Sequence, residues 1–150
     1  MMNPAVLREV KLTLPMLPDM EIAASKTATA MAEYMSMSAD RIDEVRMAVV
    51  EACINAIEHS SAPDRKVHIV FSILGDPVPE KLKIEITDFG VGFERDQVEE
   101  PRIEEKLRSN RKRGWGLKII EGLMDEVEVE TGSKGTTVRM TKFQQPESAS

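Results

Sequence analysis

One stretch in the first half of the chain decides its organisation: Val49-Val50-Glu51-Ala52-Cys53-Ile54-Asn55-Ala56-Ile57-Glu58-His59. At 3.6 residues per turn, residues 40–59 place most of their apolar side chains on one broad stripe and leave a narrow polar strip. This pattern predicts a helix that is largely buried. Glu51 and Asn55 are four residues apart and therefore face the same way on that helix.

Two interpretations of the Glu51 and Asn55 pair are open at this point. In the first, both side chains lie on the solvated edge of an amphipathic helix. In the second, the Asn55 carbonyl is one of the few protein oxygens on a Mg²⁺ ion, which often takes its other ligands from water and nucleotide phosphates. Glu51, roughly 6 Å away along the helix, then orients or deprotonates the nucleophile that attacks a γ-phosphate.

Composition and charge narrow the class of protein. The chain has 150 residues, of which 41% are hydrophobic, and this suits one domain with an ordinary core. No apolar run approaches the ~18 residues of a membrane span, and the start lacks the features of a signal peptide. The net charge of −6 argues against general binding to nucleic acid or to anionic membranes. The single cysteine excludes an internal disulfide, and we expect a cytoplasmic protein.

Periodicity and turn residues predict the other elements. The predicted strands cover residues 8–14, 66–74, 81–87, 125–131 and 136–142. A first helix is expected from a cap at Asp19 to about Met37, and the central helix from Ser38 or Asp40 to His59. The core candidates on the first helix are Ile22, Ala23, Ala30, Met31 and Tyr34. Residues 144–150 have the composition of a disordered tail.

A second polar motif follows the third predicted strand: Asp88-Phe89-Gly90-Val91-Gly92. Gly90 and Gly92 permit backbone conformations that other residues avoid, and they let a ligand approach the main chain. A carboxylate beside such a loop can accept a hydrogen bond from an exocyclic amine such as that of adenine. The alternative, equally open from the residues alone, is a plain turn in which Asp88 caps its own backbone.

A glycine-rich segment follows residues 94–113, the longest stretch without clear periodicity. Its sequence is Gly114-Trp115-Gly116, and it opens an apolar helical pattern. Exposed N–H groups and the positive end of the helix dipole make such a start an anion site, for which phosphate is the natural ligand. Residues 106–113 include five basic side chains in eight. They form either a solvated loop or, with a nucleotide bound, a mobile lid over its phosphates.

Taken in order, these motifs resemble the GHKL superfamily of ATP-binding domains, which includes gyrase, MutL and histidine kinases. From Arg8 to Lys142 the chain is similar to the anti-sigma factor serine kinases of the RsbW and SpoIIAB type. The similarity rests on Glu51-Ala52-Cys53-x-Asn55-Ala56-x-x-His59, on Leu123-Met124-Asp125-Glu126-Val127 and on Thr137-Val138-x-Met140-Thr141-Lys142. It implies an α+β fold, a two-layer α/β sandwich of the GHKL type with helices on one face of a mixed, mostly antiparallel sheet. Residues 1–143 would form this single domain.

The resemblance also implies ATP and Mg²⁺ as cofactors and a role for each motif. Glu51 would activate the attacking hydroxyl, and Asn55 would bind Mg²⁺. The residues implied around the adenine are Asp88, Gly90, Gly92 and either Thr136 or Thr137. Those implied around the phosphates are Gly114, Gly116 and one of Arg111 or Arg113. Trp115 between the two glycines departs from the family pattern.

The implied function is that of an ATP-dependent protein serine kinase in a partner-switching circuit. Such kinases phosphorylate a STAS-domain antagonist, sequester a sigma factor or another regulator in an alternative complex, and commonly form homodimers. The competing function is a nucleotide-responsive binding module with little or no catalysis. Glu51 favours the enzyme, because only catalysis clearly requires that carboxylate. A histidine kinase core is disfavoured, because it needs a preceding dimerisation module that carries the phosphoacceptor histidine.

Overall fold

The computed structural model describes residues 5–60, 62–90 and 116–145, and these form a layer of helices on a five-stranded sheet. In chain order the elements are β1 (Ala5–Pro15), α1 (Glu21–Tyr34), α2 (Ala39–His59), β2 (Lys66–Gly75), β3 (Pro79–Asp88), α3 (helical residues 116–123), β4 (Glu126–Gly132) and β5 (Gly135–Phe143). The predicted fold class, a two-layer α+β sandwich, is confirmed.

The sheet has the strand order β1-β2-β3-β5-β4, and every pairing among these described strands is antiparallel. Every second side chain of β2 and β3 is buried on the face that the helices cover, as alternation predicts: Val67, Ile69, Phe71, Ile73, Leu82, Ile84 and Ile86. A slip of one residue would turn these side chains to solvent, so burial determines the register. In that register Asp88 at the end of β3 lies opposite Thr136 of β5.

Helix α2 follows its sequence prediction closely. Of the two candidate caps it uses Ser38, whose hydroxyl accepts a hydrogen bond from the Arg41 N–H at 3.3 Å. It ends at His59, with Ser60 as its C-terminal cap. The side chains buried along it are Val45, Ala48, Val49, Ala52, Cys53 and Ala56. Glu51 and Asn55 stay on the edge of this buried stripe, half-buried.

The prediction for α1 was wrong at both ends. Met20, not Asp19, is its N-cap residue and no side chain caps the helix, because Asp19 itself has a left-handed backbone with φ of 73°. At the other end Ser36 adopts φ of 58°. Its N–H bonds the Glu33 carbonyl and the Met37 N–H bonds the Ala32 carbonyl, which is a Schellman ending. Glycine normally marks that position, so the sequence carries no signal for it.

The core candidates on α1 also need correction. Of the predicted set only Met31 is buried, whereas Ile22 and Tyr34 are 51% and 58% exposed. The buried face consists instead of Ala24, Ala28, Met31 and Ala32. Small side chains on this face let α1 pack closely on α2, and an alanine-rich helix has too few large apolar residues to reveal that face through its periodicity.

Cys53 on α2 is fully buried, as its position in the apolar stripe predicts. Burial, with a smaller contribution from the charge of Glu21, raises the pKa of its thiol from 9.0 to about 12. At pH 8 we therefore expect iodoacetamide to alkylate the native protein far more slowly than the urea-unfolded protein, measured by mass spectrometry. Because the folded pKa is raised, stability should also fall as the pH rises from 9 towards 12. Native labelling at the unfolded rate would contradict this prediction.

Hydrogen bonds attach Gln144, just after the end of β5, to the rest of the fold. Gln144, with which the predicted tail begins, donates its backbone N–H to the Glu80 carbonyl at 2.7 Å and its side-chain amide to the Met35 carbonyl at 3.1 Å. The rest of the predicted tail, residues 146–150, lies outside the described residues. No helix in the described ranges combines the length and the apolar character that a membrane crossing requires.

Candidate functional site

A cavity of about 230 Å³ lies between α2, the end of β3, α3 and the β4–β5 hairpin. Its walls are mainly apolar, with an amide, a carboxylate and two hydroxyl groups among them. The lining residues are Ala52, Asn55, Ala56, Ile86, Asp88, Leu117, Ile120, Val129, Thr131, Thr136 and Val138. An apolar pocket with a few convergent polar groups is the usual form of a small-molecule site. Asn55 and Asp88, from two separate motifs, line it together with Thr136, one of the two threonines that the resemblance implies.

Gly116 lies directly against the Glu51 and Asn55 pair. A Cβ atom built on Gly116 would be 2.2 Å from Asn55 Nδ2 and 2.8 Å from Glu51 Oε1, closer than real Cβ atoms approach. An alanine here would therefore require the ends of the Asn55 and Glu51 side chains to move. Three of the predicted residues meet here, and within the described ranges neither Glu51 nor Asn55 has a side-chain hydrogen bond.

The side chains beside Gly116 suit a Mg²⁺ ion that takes its other ligands from water and nucleotide phosphates. Among the described residues no three His, Cys, Asp or Glu side chains converge as they do in a metal cage built from protein alone. Mg²⁺ keeps several waters and commonly takes only one or two protein oxygens, with phosphate oxygens as further ligands. The Asn55 side-chain oxygen, without a described hydrogen-bond partner, fits that requirement.

The geometry of Asp88 is compatible with both interpretations of its motif. It is buried, and its Oδ1 accepts hydrogen bonds from the Gly90 N–H at 3.1 Å and from the Ser60 hydroxyl at 2.9 Å. The first of these bonds is the turn that the plain interpretation predicts. No described residue donates to Oδ2, and Asp88 also lines the cavity. One oxygen thus holds the loop, and the other is available to a ligand.

Thr136 and Thr137, which are adjacent on β5, point to opposite faces of the sheet, because successive side chains of a strand alternate. Thr136 lines the cavity, and its hydroxyl lies 3.1 Å from that of Thr131. Thr137 instead pairs with the Thr87 hydroxyl at 2.9 Å. Of the two alternatives in the sequence, Thr136 is therefore the one that lies beside Asp88 in the cavity.

Sequence reasoning missed three residues of this region. Ser60 and Thr131 carry no recognisable motif, although the alternation of β4 could have indicated Thr131. Gly135, which directly precedes Thr136 and Thr137, was not among the predicted site residues, yet it has φ of 126°, and a Cβ atom there would lie 2.0 Å from the Asp88 carbonyl oxygen. Four predicted residues lie outside the described residues: Gly92, Arg111, Arg113 and Gly114.

The close contact of Gly116 can be tested on α3 itself. Gly116→Ala should leave the free energy of unfolding within about 0.5 kcal/mol of the wild type, because the methyl group must displace the ends of the Asn55 and Glu51 side chains and this offsets the gain in helix propensity. Gly122→Ala is the matched control, since a Cβ atom there meets nothing within 4 Å. It should raise stability by roughly 0.5–1 kcal/mol through helix propensity. Urea unfolding measures both, and equal changes in the same direction would contradict the packing of α3 on α2.

Comparisons with known proteins identify the family of this chain. Residues 14–142 match the family described as histidine kinase-like ATPase domain. The serine-protein kinase RsbW of Bacillus subtilis (strain 168) is 31% identical over 140 residues, which cover 89% of this chain and 84% of the relative. The anti-sigma F factor of Caldanaerobacter subterraneus subsp. tengcongensis is 34% identical over 125 residues, which cover 82% of this chain and 85% of the relative.

A solved structure shows the same fold. It contains the RsbU and RsbW domains of Rv1364c from Mycobacterium tuberculosis, and it superposes with a TM-score of 0.67 at 19% identity. The match covers 93% of this chain and 33% of that chain. With the family match over residues 14–142 and relatives above 30% identity, it confirms the resemblance that the three motifs indicated. The chain belongs to the histidine kinase-like ATPase domains, among the RsbW serine-protein kinases and anti-sigma factors.

Proposed function

We propose that this protein is an ATP-dependent protein serine kinase of a partner-switching circuit, and that it phosphorylates a serine of a STAS-domain antagonist. The observation that carries the proposal is that Glu51, Asn55 and Gly116 meet beside a cavity that Asn55 and Asp88 both line. This arrangement offers a base pocket and a phosphate position within one site. It supports the kinase that family membership indicates.

The apolar end of the cavity would hold the adenine. Ile86, Leu117 and Val138 provide apolar walls for a flat ring. Asp88 Oδ2 accepts a hydrogen bond from the exocyclic amine, and the Thr136 hydroxyl lies in the same cavity to bond a ring nitrogen or a bridging water. A carboxylate only accepts hydrogen bonds, so this end of the cavity favours an amine over a carbonyl.

The phosphates would lie towards Asn55 and Gly116. Asn55 would hold Mg²⁺ through its side-chain oxygen, and the ion would supply positive charge that offsets the negative charge of the triphosphate. Gly116, having no side chain, leaves the polar edge of α2 accessible to the triphosphate. The phosphate contacts proposed for Gly114 and for Arg111 or Arg113, and the base contact proposed for Gly92, rest on the family resemblance.

Glu51 would orient the substrate serine and take its proton. The serine oxygen forms a bond to the γ-phosphorus while the bond from that phosphorus to the bridging oxygen of ADP breaks, and the serine proton moves to the Glu51 carboxylate. The products are a phosphoserine and ADP, and the carboxylate then returns the proton to water. Glu51 has no described side-chain hydrogen bond, so it is free to make this contact.

The partners are proposed from the relatives. One of them is named a serine-protein kinase and another an anti-sigma F factor, which supports both phosphorylation of an antagonist and sequestration of a sigma factor or another regulator. We propose that the protein acts as a homodimer in the cytoplasm, with no direct contact to nucleic acid or membrane. The anti-sigma name also favours the second candidate, a nucleotide-responsive binding module with little or no kinase activity.

A phosphotransfer assay separates these two functions. The purified chain is incubated with γ-labelled ATP, Mg²⁺ and each STAS-domain protein encoded in the same genome, and the label on the STAS protein is followed over time. The kinase is expected to label one of them at a serine and to require Mg²⁺. ATP binding in calorimetry without transfer to any STAS protein would favour the binding module. Absence of any ATP binding would exclude both candidates.

A further inference from the structure

We propose that Ser60 is a positioning residue for the nucleobase, which acts by holding the Asp88 carboxylate through Oδ1. The inference rests on the proposed ATP site and adds to it a residue that does not line the cavity. Ser60 ends α2 and Asp88 ends β3, so their hydrogen bond also joins the two elements that carry the polar groups of the site.

The hydrogen-bond directions around the Ser60 hydroxyl are determined by its neighbours. The Ala62 N–H donates to Ser60 Oγ at 3.1 Å, so the hydroxyl oxygen is an acceptor in that contact. Its single proton is then available for Asp88 Oδ1 at 2.9 Å, where a carboxylate can only accept. The Ser60 hydroxyl therefore accepts one hydrogen bond and donates another. The bond that it donates to the Asp88 carboxylate is charge-assisted.

The position of Ser60 is held from several directions. Its N–H donates to the Ala56 carbonyl at 3.1 Å, which is the last turn of α2, and its carbonyl accepts from Arg65 Nη1 at 3.3 Å. A Cβ atom built on Gly90 would be 2.9 Å from both Ser60 Oγ and Asp88 Oδ1, so the loop closes tightly over this bond. Ser60 is thus a fixed donor, which a solvated hydroxyl would not be.

Ser60 and Gly90 both donate to Oδ1 of Asp88. Oδ2 is therefore left to accept a hydrogen bond from the ligand. With Oδ1 held on two sides, rotation of the carboxylate is restricted, and Oδ2 remains an acceptor for the exocyclic amine. Without the Ser60 hydroxyl, Oδ1 keeps only the Gly90 N–H as a donor, and the carboxylate gains rotational freedom. Binding of the amine must then remove this freedom, which costs entropy and weakens affinity. Ser60 should therefore determine how strongly the site prefers a base with an amine.

The test compares ATP with purine riboside 5′-triphosphate, which lacks only the exocyclic amine. Dissociation constants are measured by calorimetry with Mg²⁺ present for the wild type and for Ser60→Ala. The wild type should prefer ATP by about tenfold or more, which corresponds to one good hydrogen bond. Ser60→Ala should lower this preference by roughly three- to tenfold through weaker ATP binding, with the analogue unaffected. Ser72→Ala, a buried serine on β2 outside the cavity, is the control and should change neither constant.

Ser60→Thr keeps the hydroxyl and should keep the preference for ATP, with its fold verified by thermal melting. An equal loss of affinity for both nucleotides in Ser60→Ala would show a structural role only and would overturn the inference. An unchanged preference for ATP in Ser60→Ala would also overturn it. The same holds if Ser60→Thr folds but loses the preference for ATP as Ser60→Ala does. A wild-type chain that binds neither nucleotide would refute the proposed ATP site itself, a result distinct from ATP binding with an unchanged preference.

Discussion

Phosphotransfer to the STAS-domain substrate is expected to fall by about 10²–10⁴-fold in Glu51→Gln, the range that general base catalysis contributes. Glutamine keeps the size and shape of the side chain but does not accept a proton at neutral pH. Since Glu51 has no described side-chain hydrogen bond and is half-buried at the edge of α2, the fold should not depend on its charge. Affinity for ATP in the presence of Mg²⁺ should stay close to that of the wild type.

Single-turnover assays with γ-labelled ATP measure the transfer step, and calorimetry measures nucleotide binding separately. Glu58→Gln is the matched control, because Glu58 lies on the same helix with its side chain 54% exposed and is expected to leave both quantities unchanged. Asn55→Ala should instead weaken Mg²⁺-dependent nucleotide binding. Wild-type transfer by Glu51→Gln would remove Glu51 from the proposed mechanism, and loss of ATP binding in that variant would assign it to binding rather than to proton transfer.

The second large effect concerns a buried charge that joins α2, α3 and β5. The Lys142 side chain is only 3% exposed, and its Nζ donates to the carbonyl of Leu123 at the end of α3 and lies 3.4 Å from Glu44 Oε1. A cation at this helix end is favourable, but it needs its anion. The Glu44 side chain is 38% exposed, so Glu44→Ala should lower the free energy of unfolding by about 2 kcal/mol, less than for a fully buried pair, by leaving the Lys142 charge without a counter-ion.

A double variant tests whether the loss of stability comes from the unpaired charge of Lys142. Lys142→Met alone should cost about 1–2 kcal/mol through the lost hydrogen bond to Leu123. Glu44→Ala combined with Lys142→Met should be more stable than Glu44→Ala, because the second substitution removes the unpaired charge. Urea unfolding measures all three. Asp43→Ala breaks the neighbouring exposed pair with Arg46 and, as the control, should cost no more than about 0.5 kcal/mol. A double variant less stable than Glu44→Ala would contradict this account of Lys142.

Local patterns predicted most of the secondary structure, and the exceptions share one cause. Alternation identified every strand of the sheet, and the apolar stripe with its polar edge identified α2. The prediction was wrong for α1, where Ser36 takes the left-handed conformation that glycine usually adopts and where alanines form the buried face. Both features depend on the packing of α1 against α2, which one helix does not reveal through its own residues.

The sequence by itself determined the order of the three motifs, and with it the family, and it supplied Glu51, Asn55 and Asp88 as the candidate site residues. Each of these signals lies within a few consecutive residues, where spacing alone decides which side chains face together. Only the tertiary structure decided that Thr136 rather than Thr137 lies in the cavity, that Gly116 contacts Asn55, and that Ser60 holds Asp88 across 28 positions of the chain. Such contacts depend on how helices and strands pack, because packing brings together residues whose separation in sequence carries no pattern.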